Sequence, residues 1–206
     1  MNQLIDIRIG KIIATAVAAS FLAIHIAMLV MFYVYEVTPM VYFNIFSLVF
    51  YASMFILIAT EKLRLFSTLV YLEATCHMVL AVYFTGWDNG FQVTLIGLSA
   101  LVYFAEYMGH ALEIKPVRAL PLCVLGMCAY LAVFVVSEFY PAPYALSEEV
   151  SFWLEIAWGA VVFVISVSIL QAFIQMTFNS EELLTTRLEH DRLTGLPNRY
   201  HIDRKS

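Results

Sequence analysis

Six runs of apolar residues, separated by polar or turn-forming residues, set the pattern of the chain: 12–35, 41–60, 65–84, 91–114, 119–136 and 150–178. Each is long enough, or nearly so, to cross the ~30 Å hydrocarbon core of a bilayer as a helix rising about 1.5 Å per residue. Turn signals punctuate them. Pro39 breaks the chain after the first run, TGWDNG closes the third, and SEFYPAPYALSEE, with two prolines and two tyrosines suited to a membrane surface, separates the fifth from the sixth. The pattern predicts an all-α integral membrane protein, a six-helix transmembrane bundle. The sixth run carries no charge but Glu155 over 29 residues. As a helix it would extend roughly 43 Å, so it must project beyond the bilayer. Gln171 and Gln175 mark its exit, and EELLTTRLEH follows, rich in helix formers and carrying Leu183, Leu184 and Leu188. A long C-terminal helix with an amphipathic end is therefore expected.

With 62% apolar and 13% charged residues, an ordinary soluble domain is excluded. Charge then orients the bundle. Arg8 and Lys11 precede the first run, Lys62 and Arg64 lie between the second and third, Lys115 and Arg118 between the fourth and fifth, and the other five basic residues follow the sixth. The alternate loops hold Glu36, Asp88, Glu138, Glu148 and Glu149 and no Lys or Arg. By the positive-inside rule both termini are cytoplasmic. The net charge of −5 comes largely from the outer loops and the spans, so it implies no nucleic-acid partner. The first run is too long for a cleaved signal peptide. Cys76, Cys123 and Cys128 lie in apolar stretches without metal-type spacing, and buried free thiols are expected.

Ionisable residues inside a membrane are expensive, so each needs a partner or a purpose. Glu73 and His77 share one face of the third run, Glu106 and His110 one face of the fourth, and His25 lies in the first. His25 is 13 residues from the start of its run and His77 is 12 from the start of its own. Both runs point the same way, which puts the two imidazoles level, roughly 18–20 Å up. His25, Glu73, His77 and Glu106 are the candidate lining of a polar pocket between the first, third and fourth spans. Two levelled histidines on facing helices suit a shared metal or cofactor, and among ligands b-type haem held by His25 and His77 is the most plausible. A different small apolar or redox ligand, and a polar core that only pairs with itself, are the alternatives. His110 and Glu155 read as residues of the membrane boundary.

The end of the chain supplies one motif. In DRLTGLPNRY, Asp191, Leu193, Thr194, Gly195, Leu196, Asn198 and Arg199 closely resemble the DxLTGLxNR entry motif of GGDEF domains, the catalytic domains of diguanylate cyclases. Tyr200 stands where a second Arg is common. The resemblance implies a six-span sensor over 1–178, a signalling-helix linker over 179–190 and the start of a GGDEF domain over 191–206. It further implies a homodimer in a bacterial inner (plasma) membrane, in which Gln171, Gln175, Leu184 and Leu188 pass a signal to the cyclase. The signature loop and metal-binding carboxylates of such a domain are not in the 206 residues, so no cyclase activity is expected of the chain as it stands. The full-length protein would convert GTP to cyclic di-GMP. A transmembrane b-type cytochrome for electron transfer and a small transporter are the rival readings.

Overall fold

Asp6 accepts the Arg8 N–H at 2.8 Å and starts the first helix, satisfying a donor that the helix itself leaves unpaired. The computed structural model describes residues 6–189, with side chains through 179. Six helices follow in order: α1 (Ile7–Val34), α2 (Thr38–Ala59), α3 (Leu63–Thr85), α4 (Val93–Ala111), α5 (Ala119–Phe139) and α6 (Glu148–Glu189), with a 3-10 turn at Trp87–Asn89. Pro39 falls in the first turn of α2, where a missing N–H costs nothing. Among the described residues there is no strand.

Five helices, α1, α2, α3, α5 and α6, are long and apolar enough to cross a membrane, as a multi-pass membrane protein requires. The expected sixth, α4, is not among them. It has 19 residues and spends two of them on Glu106 and His110. Its ends nevertheless reach both ends of the bundle: the Phe91 ring lies 6.0 Å from that of Phe32, while Gly10 faces Leu112 and Leu63. The same arrangement gathers the basic residues. Lys11 meets Glu61 at 3.6 Å, and Gly10, Arg64 and Lys115 line one cleft, so the start of α1, the α2–α3 turn and the α4–α5 turn share an end.

Three of the turns are built alike. After α1, Val37 N–H returns to Phe32 O and Glu36 N–H to Tyr33 O; Lys62 to Leu57 with Glu61 to Ile58, and Ile114 to Gly109 with Glu113 to His110, repeat the pattern. This is the Schellman closure, whose left-handed position usually takes glycine. Here it takes glutamate each time, with φ of 57°, 60° and 55° at Glu36, Glu61 and Glu113.

Helix α3 is the centre of the bundle, with 56% of its span buried against 28% or less for the other four. It packs on α1 and α2 on one side and on α4 and α5 on the other. Gly10 and Ala14, buried at a spacing of four on α1, line a cleft with Leu63 and Val70 of α3 and with Leu112. On the other side, Tyr71 donates to Leu122 O at 2.8 Å and lies against Gly126, which leaves room for its hydroxyl. The cysteines are free, as expected, but Cys76 and Cys128 are exposed on the apolar surface and Cys123 is only half-buried. Buried thiols were the wrong expectation, because an apolar surface facing lipid looks in sequence like a core.

The chain divides into two compact units, Met1–Ser166 and Val167–Ser206. Within the first, Trp158 on α6 donates from Nε1 to Thr94 Oγ1 at 2.6 Å and its ring meets Phe91 at 5.3 Å. In the second, α6 stays helical through Glu189 with Gln171 and Gln175 exposed, so the expected linker continues the last span without a break. Leu184 and Leu188 fall on this helix, but their side chains lie outside the described residues. So do Asp191, Leu193, Thr194, Gly195, Leu196, Asn198 and Arg199.

Candidate functional site

The central position of α3 decides which of its polar residues face protein. Glu73 and His77, one turn apart, point toward α1 and α2 and are buried, His77 completely. His25 on α1 is also fully buried, and the expected levelling holds: His25 Nε2 lies 3.1 Å from His77 Nδ1. Glu73 Oε1 completes a triangle, 3.7 Å from His25 Nε2 and 3.6 Å from His77 Nδ1.

Helix α2 supplies the rest. Ser47 Oγ donates to Glu73 Oε1 at 2.6 Å and Tyr51 Oη donates to Glu73 Oε2 at 2.5 Å, so both carboxylate oxygens are held. Ser47 and Tyr51 were not anticipated. Their signal was available: they are four apart on an apolar helix, and counting back from Thr60 puts Ser47 13 residues in, the depth already assigned to His25.

The tautomer of His25 follows from its surroundings. Its Nδ1 lies 2.7 Å from the Phe21 carbonyl, which can only accept, so Nδ1 carries the proton and Nε2 turns a lone pair toward His77 and Glu73. With no ion between them, His77 Nδ1–H donates to that lone pair, and Ser47 Oγ stands 3.3 Å from the same nitrogen. Among the described residues, His77 Nε2, on the other side of the ring, is buried without a hydrogen-bond partner. Aromatic rings enclose the pair, with Tyr51 4.7 Å from His25 and Phe43 5.2 Å from His77. Among the described residues, Glu73 has the imidazoles of His25 and His77 within 4 Å but forms no ion pair with a Lys or Arg. A carboxylate buried at this depth therefore depends on hydroxyls, imidazoles and any cation they jointly admit.

Glu106, expected in this pocket, is elsewhere. Its Oε2 accepts the Ala119 N–H at 3.1 Å, at the first turn of α5, where Arg118 offers no side-chain cap. It had been counted among the pocket's lining, but α4 packs on the opposite side of α3, and a free helix N-terminus is the nearer and electrostatically favoured partner for a carboxylate. The pocket lies between the first, second and third helices instead of the first, third and fourth. His110 is exposed at the end of α4 and Glu155 is exposed on α6.

The haem expectation can be put to the same geometry. Two imidazoles bound to one iron from opposite faces of a porphyrin stand with the metal and the macrocycle between them, so their nitrogens do not touch. His25 and His77 instead meet at 3.1 Å, edge to face with ring centroids 4.6 Å apart, inside a collar of aromatic rings. The arrangement leaves no slot for a planar macrocycle, so the residues present do not fit haem. Comparison with protein-family models, curated proteins and solved structures gave no match, and the site is interpreted on its own geometry.

Proposed function

We propose that this chain is the membrane sensor of a diguanylate cyclase, with the His25–Glu73–His77 cluster as its sensing element and α6 as its output. The observation that carries the reading is the uninterrupted helix from Glu148 to Glu189, which leads from an apolar span directly into the Asp191–Arg199 motif. An intact helix transmits rotation and register, whereas a loop would transmit neither. The buried, multiply held carboxylate supports the other half: a polar group of this cost inside a span has a structural or ligand-linked purpose. GTP belongs to the full-length protein, which works as a parallel homodimer.

Insertions in the full-length protein test the output. One extra residue between Ser180 and Leu188 turns everything downstream by about 100°, while seven extra residues restore the face to within about 20°. Cyclic di-GMP formation from GTP should change sharply with the first and largely recover with the second. Equal output from both, or no cyclic di-GMP from the full-length protein, would overturn the reading. The same proposal puts both termini in the cytoplasm, because the basic residues gather at one end of the bundle. In sealed cells a cysteine introduced beside Asp88 should react with an impermeant thiol reagent, and one beside Lys62 or Lys115 should not; the reverse pattern refutes the topology.

A further inference from the structure

The three atoms His25 Nε2, His77 Nδ1 and Glu73 Oε1 form a triangle with sides of 3.1, 3.6 and 3.7 Å. The point equidistant from them lies about 2.0 Å from each, which is the length of a bond from zinc to an imidazole nitrogen or a carboxylate oxygen. We propose that these residues bind one divalent transition-metal ion of the zinc type, a non-haem site joining α1 to α3 and steadied by α2.

Three features support an ion at that point. Phe21 O fixes the His25 tautomer from behind, 2.7 Å from Nδ1, so that Nε2 offers a lone pair; metal-bound histidines are ordinarily held this way. Tyr51 holds the second carboxylate oxygen of Glu73 at 2.5 Å, leaving Oε1 turned inward. His77 Nε2, without a hydrogen-bond partner among the described residues, would carry the ring proton while Nδ1 binds the ion, and that N–H would stay unpaired. The ion also supplies the positive charge that, among the described residues, no Lys or Arg brings to Glu73. The chemistry of the donors narrows the choice. Two imidazoles and one carboxylate suit zinc and its neighbours, while calcium and magnesium favour all-oxygen shells. Ser47 Oγ, 2.6 Å from Glu73 Oε1 and 3.3 Å from His77 Nδ1, is an outer hydrogen-bond partner of two of the three donors.

Both histidines are fully buried, so the ion enters during insertion or when α1 parts from its neighbours, and it exchanges slowly once enclosed. The site deepens the proposed sensing role, yet binding is measurable without any cyclase. The test uses the full chain, produced in zinc-supplemented and in cobalt-supplemented cells and purified in detergent without metal-affinity steps. Elemental analysis should find about one zinc ion per chain, as a single site requires. Zinc-edge X-ray absorption should show two imidazoles with oxygen at about 2.0 Å, and no sulfur. His25→Ala, His77→Ala and Glu73→Gln should each remove the ion, with His110→Ala retaining it. Tyr51→Phe, which loosens an outer partner, should weaken binding roughly 10–100-fold. A metal-free wild-type protein, a sulfur-containing shell, or an ion that persists in all three ligand variants would refute the site. The wild-type content and spectrum decide the matter even where a variant fails to fold. A failure here with intact insertion phasing would remove the ion and leave the output helix standing.

Discussion

Removing the Tyr51 hydroxyl is the sharpest probe of how Glu73 is held. Hydrogen bonds inside membranes are worth little on average, about 0.6 kcal/mol and at most about 1.7, because the unfolded helices still in lipid find other partners. Bonds to charged groups are stronger, about 1.5–3 kcal/mol, and a buried acceptor stripped of its donor bears the full desolvation cost. Tyr51 is fully buried and its 2.5 Å bond is the one that Glu73 Oε2 receives, whereas Oε1 has Ser47 and two imidazoles nearby. Tyr51→Phe should therefore fall near the top of the membrane range, about 1.5 kcal/mol, or roughly tenfold in the unfolding equilibrium. The assay is steric trapping in bicelles with chelator present throughout, so that metal linkage does not enter. Glu73→Gln and the double variant complete a cycle, and the coupling between the two sites should be at least about 1 kcal/mol. Tyr71→Phe serves as the neutral comparison, since its hydroxyl donates at 2.8 Å to the carbonyl of Leu122, and about 0.6 kcal/mol is expected there. A Tyr51–Glu73 coupling below about 0.5 kcal/mol, within the error of additive sites, would show that the carboxylate is not the hub of the cluster.

Gly126→Ala should destabilise the bundle by about 1–3 kcal/mol, because the added carbon would strike the Tyr71 hydroxyl; an unchanged melting curve would place Tyr71 elsewhere. Glu113→Gly should stabilise by up to about 1 kcal/mol, the relief of a left-handed residue (about 1–2) less the entropy glycine loses on folding. Its φ of 55° is the motive, and a lower melting temperature would contradict the turn. Under the proposed function and zinc site, Phe91→Leu in the full-length protein should keep the zinc content but narrow the difference in cyclic di-GMP output between zinc-replete and zinc-depleted cells by about fivefold or more, the low end of ordinary coupling. An unchanged difference would show that the signal does not pass through this ring.

Depth along a helix was legible in the sequence because it is a matter of counting at a fixed rise. The meeting of His25 with His77 was found that way, and the same count would have found Ser47 and Tyr51 had hydroxyls been weighed beside charges. Rotation was not legible. In a lipid-facing helix the hydrophobic periodicity that reports orientation in water is nearly erased, since both faces are apolar. That is why Glu106 was set in the wrong pocket and the cysteines inside the protein. The turns were hidden for another reason: three glutamates occupy left-handed positions where glycine would have announced a helix end. Six helices and most of their limits were nonetheless readable, because Pro39, TGWDNG and the two basic turns interrupt the apolar runs.

A ligand shifts a conformational equilibrium only by the difference in its affinity for the two states. The triangle of ligand atoms is already the size an ion needs, so binding would not draw α1 and α3 together. It would lock an arrangement that exists without it, and the consequential event is the ion's loss. Glu73 would then keep its two hydroxyl donors but lose its countercharge, and the cost would fall on the packing of α1 and α2 against α3. From there the route to the output helix is short. His77 and Phe32 have ring centroids 6.5 Å apart, Phe32 and Phe91 6.0 Å, and Phe91 and Trp158 5.3 Å, the last of these on α6. Contiguity of this kind is not coupling until one element is shown to have two arrangements that both ends bias. Trp158 is where that requirement meets the structure: its single hydrogen bond to Thr94, at 2.6 Å, must break or move with any rotation of α6 against α4, and its indole must leave or keep the face of Phe91. Under the proposed function, the state of the cluster is thus read by whether one aromatic ring holds the output helix in register.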